Sequence, residues 1–315
     1  MCFNGPVIAQ GGVIAALTVV LVLGCTYIPF FQLLTNFICP IPLAFLVLKQ
    51  GFRPAILASL VFTVLLGIFL GAQGLPVAIG VVVPGVILGL GIKKNWTATS
   101  ILFVVALATA LTIGLTAISY GLLFKANFVT EMTNMLNESQ KISIDMYKRL
   151  NIPKEELARQ EEVFKMAGQF FIAALPAVLS ASALLMAFLN YFIAGKLLGR
   201  LGYVIPPLPV FSRWRAPWIM SWGYIGAVLA LLVGQSIPVW KQVGMNLLFV
   251  FSFWYMLQGL ANISFYLQRT SLPRPIRGLM MGGAFFLMGN FLSIAGLLDT
   301  WFDFRKLEKN TVKCG

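Results

Sequence analysis

Five neutral amides stand inside otherwise apolar runs: Asn190, Asn246, Gln258, Asn262 and Asn290. Gln258 and Asn262 are four residues apart, so a helix would place them on one face. Asn246, twelve and sixteen residues earlier, is read as sharing that face. An amide surrounded by hydrocarbon must find a partner. The partner is either another helix, in a hydrogen bond worth about 0.6 kcal/mol on average, or a bound polar, neutral solute. Other chemistry is scarce. The chain contains no His, which removes His-based metal sites and His general bases. It has no GxxxxGK[ST] loop for nucleotide phosphates and no Ser/His/Asp set. Asp299 closes the last apolar run and is expected at an interface, so no pair of acids lies within the apolar segments. Cys2, Cys25, Cys39 and Cys314 lack the paired spacing of zinc or redox sites and read as small apolar fillers. We therefore expect no catalytic residue, no metal and no cofactor, and a chain that is not an enzyme.

The elements that must hold these amides follow from composition. Of 315 residues, 59% are hydrophobic and 10% charged, where a soluble domain carries about 25% charged residues. Too little ionic surface remains to solvate such a body, which points to an all-α, polytopic transmembrane bundle. A spanning helix needs about 20 mainly apolar residues. Nine runs qualify, at 10–28, 30–48, 54–72, 75–92, 98–124, 168–195, 217–237, 243–267 and 277–300, with eight spans as the alternative. The second is interrupted by Pro40 and Pro42 and carries Gln32 and Asn36, as a broken or re-entrant helix would. Residues 1–24 hold no Lys or Arg, so the first run reads as an uncleaved span rather than a secretory leader.

Charge sets the expected sidedness. With the N-terminus cytoplasmic, the cytoplasmic loops hold eleven Lys and Arg and no acid, from Lys49 and Arg53 to Arg274 and Arg277. The 125–167 loop on the other side carries seven of each sign. Positive loops stay inside, so the expected location is a bacterial cell membrane with the N-terminus cytoplasmic. The net charge of +13 then meets anionic lipid headgroups rather than nucleic acid. One conflict remains. Nine spans put Arg305, Lys306, Lys309 and Lys313 outside.

Three further patterns stand out. Residues 125–167 hold most of the acids and predict a helical hairpin outside the membrane, with one long helix running from Pro153 into the sixth span. Small residues four apart, Gly11 with Ala15, Gly12 with Ala16 and Gly85 with Gly89, would let helix backbones approach closely. They serve internal packing or dock a separate protein. In the stretch 203–222, prolines forbid a regular helix, and Arg213, Trp214, Arg215, Trp218 and Trp222 form an aromatic and basic belt. It anchors the chain or offers a docking surface.

The segments GGVIAALTVVLVLGCTYIPFF, ICPIPLAFLVLKQGFRPAILASLV, PPLPVFSRWRAPW and GLLDTWFDFRKL resemble the YybS-like group of bacterial integral membrane proteins. That group has no established activity. The first six spans are also similar to the substrate-binding S components of energy-coupling-factor (ECF) transporters. That likeness implies a non-enzymatic small-solute binding or transport subunit. It also implies a coupling-factor transmembrane protein and ATPases as partners, docked on Gly11, Gly12, Ala15 and Ala16. The implied organisation is a five-span region at 1–124, the hairpin at 125–167 and a sixth span at 168–200. The interfacial segment 201–222 and a three-span region within 217–315 follow. The alternative is a membrane scaffold or regulator that binds another protein or lipid headgroups.

Overall fold

The computed structural model describes residues 5–28, 31, 35–124, 127–150, 153–234 and 237–307. Cys2, Gln32, Lys309, Lys313 and Cys314 lie outside them. All regular structure among the described residues is helical. The chain divides into two compact units, one of residues 1–164 and 182–208, the other of residues 165–181 and 209–315.

The first unit contains α1 (Gly5–Tyr27), α2 (Thr35–Ile38), α3 (Pro40–Gln50), α4 (Phe52–Leu70), α5 (Gly74–Lys93), α6 (Ala98–Phe124) and α7 (Phe128–Arg149). Pro40 opens α3, where its missing N–H would have had no partner in any case. Gly51 ends that helix at φ +96°, a conformation that favours glycine, and the Lys93 ammonium donates to the Val47 carbonyl at 3.3 Å. The close approach of α5 to α3 depends on two glycines. A Cβ on Gly85 would lie 2.5 Å from the Pro40 carbonyl oxygen, and one on Gly89 would lie 2.7 Å from that of Ala44. Phe62, Leu66, Val81 and Leu43 fill one core, while Ile101, Tyr191 and Leu198 fill another. The Tyr191 hydroxyl donates to the Pro206 carbonyl and ties the proline-rich strand to α9 (Leu175–Arg200).

Outward faces are apolar. Leu111, Leu115, Ile118 and Leu122 form an exposed stripe on α6, the reverse of a water-facing helix. Among the described residues, five helical stretches are long and apolar enough to cross a membrane: Ala9–Tyr27, Phe52–Lys93, Ala98–Ser119, Leu175–Arg200 and Val239–Leu267. The second of these is 42 residues long and contains both α4 and α5.

Three of the nine expected runs do not form one straight helix of spanning length. The run at 30–48 breaks at Cys39 into α2 and α3. The run at 217–237 yields α10 (Ile219–Val233), only 15 residues long. The run at 277–300 is not straight. It forms α12 (Arg274–Leu287) and α13 (Gly289–Phe302), bent by 101° at Met288. The long helix predicted from Pro153 is also interrupted, by a turn at Ala174 between α8 (Lys154–Ala173) and α9.

In the second unit, α13 lies along α11 (Pro238–Leu267) with almost no side chain between the two backbones. A Cβ on Gly296 would fall 2.0 Å from the Tyr255 carbonyl oxygen, and one on Gly259 would fall 2.0 Å from that of Leu292. The end of α13 returns to the end of α11, where the Tyr266 hydroxyl donates to the Phe304 carbonyl at 3.1 Å. Because α12 starts just after that same end of α11, the bent pair enters and leaves on one side. That course is the one a re-entrant loop would take. Arg305 donates to the Ser212 and Trp214 carbonyls and so lies beside Arg213 and Arg215.

Two outcomes follow. Cysteines placed at Thr270 and Lys306 are expected to react with an impermeant maleimide from the same face of sealed vesicles, and labelling from opposite faces would overturn the re-entrant arrangement. Gly296→Ala is expected to lower stability by about 1–3 kcal/mol through overpacking, read from unfolding in detergent.

Candidate functional site

The second unit concentrates the polar side chains. Asp299, in the last turn of α13, and Arg305 are both fully buried and pair at 2.7 Å. The guanidinium also donates through Nη1 to the Ser212 carbonyl and through Nη2 to the Trp214 carbonyl, each at 2.8 Å. Gln258 on α11 completes the cluster. Its Nε2 donates to Asp299 Oδ2 and Thr300 Oγ1 at 3.1 Å, and its Oε1 accepts from the Ala216 amide at 2.8 Å. Beside it, the Tyr255 and Ser221 hydroxyls lie 3.2 Å apart. Arg215 donates to the Thr300 carbonyl at 3.0 Å and lies 3.8 Å from the Asp303 carboxylate. Two charges removed from water remain only if they pair and their other hydrogen-bonding sites are met. Here the irregular 212–216 backbone supplies the acceptors and the donor that no regular helix could.

Asn246 has a different task. In an unbroken helix the Ala177 amide would donate to the Ala173 carbonyl. The chain turns at Ala174 instead, and the Asn246 amide fills the gap. Its Nδ2 donates to the Ala173 carbonyl at 2.8 Å and its Oδ1 accepts from the Ala177 amide at 3.1 Å. Asn246 therefore does not share the face of Gln258. Twelve residues of helix leave it roughly 120° round the axis.

Asn262 faces an apolar groove of 380 Å³ between α11 and α13, lined by Ile263, Tyr266, Thr270, Met288, Phe291 and Ala295, among others. It is 8% exposed and its Oδ1 has no hydrogen-bond partner. Asn290 is exposed. Asn190 is buried in the first unit, its Oδ1 also without a partner. The five amides thus occupy five distinct settings.

The small-residue pairs divide as well. Gly11 and Ala15 face α4, where Ala58 is the neighbour of Gly11. Gly12 and Ala16 are exposed. Gly85 and Gly89 are consumed by packing on α3. In the basic and aromatic belt, Arg213 is exposed, Trp218 and Trp222 are 61% and 56% exposed, and Trp214 donates from Nε1 to the Pro209 carbonyl at 3.0 Å.

Sequence reasoning missed the Asp299–Arg305 centre. It read Asp299 as an interface residue and Arg305 as one of the tail's positive charges and did not pair them; both side chains are buried. A signal existed. Asp299 is the first acid after Glu162, and a lone acid in so long an apolar stretch is expensive unless paired.

A family model described as "Predicted membrane protein (DUF2232)" matches residues 16–300. The chain is 22% identical over 322 residues to the uncharacterized protein YybS of Bacillus subtilis (strain 168), with 95% of this chain and 97% of that protein covered. No solved structure matches the chain.

Arg305→Met leaves a carboxylate buried without its cation. It is expected to cost about 3–5 kcal/mol, while the double change Asp299→Leu with Arg305→Met recovers most of it. Denaturant unfolding in detergent reads both, and a single variant as stable as the parent would refute the assignment.

Proposed function

We infer the function from one premise: the chain belongs to the DUF2232 family of predicted membrane proteins. It is a multi-pass membrane protein, and the family description names a location without an activity. We propose that it is a non-enzymatic subunit that binds a small solute between its helices. We further propose that it moves or presents that solute with energy drawn from a partner ATPase. The observation that carries this reading is the groove at Asn262, where an amide without a partner stands in an apolar wall. Ligand sites commonly combine an apolar lining with one or two polar groups that set orientation.

The proposed setting is the bacterial cell membrane, with the N-terminus and the arginine-rich loops cytoplasmic. The exposed Gly12 and Ala16 face of α1 is the proposed seat of a transmembrane coupling protein, as in the ECF S components that the first half resembles. A second reading, a scaffold or regulator, draws support from Trp218 and Trp222, whose exposed rings lie 6.0 Å apart. Aromatic rings of this kind serve equally as membrane anchors.

The test is thermal unfolding of the purified full chain against a panel of nutrients and amphiphiles. At least one compound is expected to raise the midpoint, with the rise lost in Asn262→Leu. A panel without any shift would overturn the binding reading. Gly12→Leu is expected to abolish copurification of coupling-factor subunits without changing that shift. Photocrosslinking from Trp218 that captures one defined protein, together with a flat panel, would favour the second reading.

A further inference from the structure

We propose that the groove between α11 and α13 holds one acyl chain of a bilayer phospholipid with an anionic headgroup. This deepens the binding reading of the same groove and names its ligand class.

Four observations meet there. First, the lining is hydrocarbon and aromatic, from Ile263 and Tyr266 on one wall to Met288, Phe291 and Ala295 on the other. Its 380 Å³ is within the range of small-ligand pockets. A charged or strongly hydrated solute would lose its water in such a slot and gain nothing in return, whereas an alkyl chain fits it.

Second, the groove starts at the C-terminal end of α11. Thr270 lines it and lies just past the end of the helix, and the bent pair leaves on the same side. A lipid could thus keep its head at the surface and lay its chain inward along α11.

Third, that end is cationic. Arg269, Arg274 and Arg277 fall within seven residues of Thr270, and no acid occurs between Glu162 and Asp299. The Arg277 guanidinium is already oriented, donating from Nε to the Leu272 carbonyl at 2.8 Å and from Nη2 to the Thr270 carbonyl at 2.9 Å. A guanidinium has five N–H donors, so about three remain for a phosphate. Arg269 is likewise placed, 4.3 Å over the Phe265 ring. The start of α12 at Arg274 adds the positive end of a 14-residue helix.

Fourth, Asn262 lies five residues before the end of α11 at Leu267, about 7.5 Å inside it. Its amide can turn either its oxygen or its nitrogen outward. It can therefore meet an acyl ester carbonyl below the phosphate. This gives the partnerless amide a role that a bare alkyl chain would not.

The experiment uses the full chain, delipidated in detergent and exposed to phosphatidylglycerol or phosphatidylcholine of matched chains, with native mass spectrometry counting bound lipid. The parent is expected to retain one phosphatidylglycerol per chain and to prefer it over phosphatidylcholine by tenfold or more. Ala295→Phe, which fills the groove, is expected to lose that retention tenfold while its elution profile stays unchanged. Arg269→Gln with Arg274→Gln is expected to keep lipid but bring the preference close to one. Equal retention of both lipids by the parent would overturn the inference, and so would full retention in a normally eluting Ala295→Phe. A water-soluble compound that raises the unfolding midpoint of the delipidated protein, and fails on Asn262→Leu, would sink the lipid assignment and leave the broader binding reading standing.

Discussion

In hydrocarbon a polar group that loses its partner has no water to fall back on. That single constraint explains most of what is unusual in this molecule. Arg305 needs acceptors, and the irregular 212–216 backbone needs donors. Each supplies the other, and Asp299 Oδ2 and Gln258 add further partners, while Asp299 Oδ1 is buried without one. The non-helical stretch after Pro209 is tolerated because side chains from α11 and the end of α13 meet its free amide and carbonyls. Asn246 applies the same logic to a helix break and replaces one lost peptide bond partner with both ends of an amide.

The second constraint is steric. Without a hydrophobic drive between helices in lipid, contact depends on close packing. The contacts here follow the glycines: Gly85 and Gly89 against α3, Gly259 and Gly296 between α11 and α13. Where glycines meet nothing, as at Gly278 and Gly282 on α12, no added Cβ would find a neighbour within 4 Å. The spacing of small residues therefore marks close approach only where a second helix arrives, and one chain's sequence does not say where that is.

Much of the architecture was legible for this reason. Apolar run length located α1, α4, α5, α6, α9 and α11, because a helix in lipid must be both long and apolar. The same criterion failed at 277–300. Hydropathy measures length along the chain and is blind to a bend, and nothing in Leu287, Met288 or Gly289 forces one alone. Side-chain roles were harder to read. Gln258 and Asn262 share a helix face and one turn of chain, yet one is saturated by Asp299, Thr300 and Ala216 while the other lacks any partner for its oxygen. The difference comes from α13 and the 212–216 segment, both distant in sequence.

The staple at Arg305 also imposes an order of events on biosynthesis. Residues 209–216 leave the ribosome some ninety positions ahead of the guanidinium that will satisfy Ser212 and Trp214. Until then those carbonyls must stay at the wet surface of the bilayer, and α12 and α13 cannot settle. The second unit therefore closes as a late, cooperative step after α10 and α11 have inserted, and truncation before Arg305 would leave a half-built bundle with its polar backbone still hydrated.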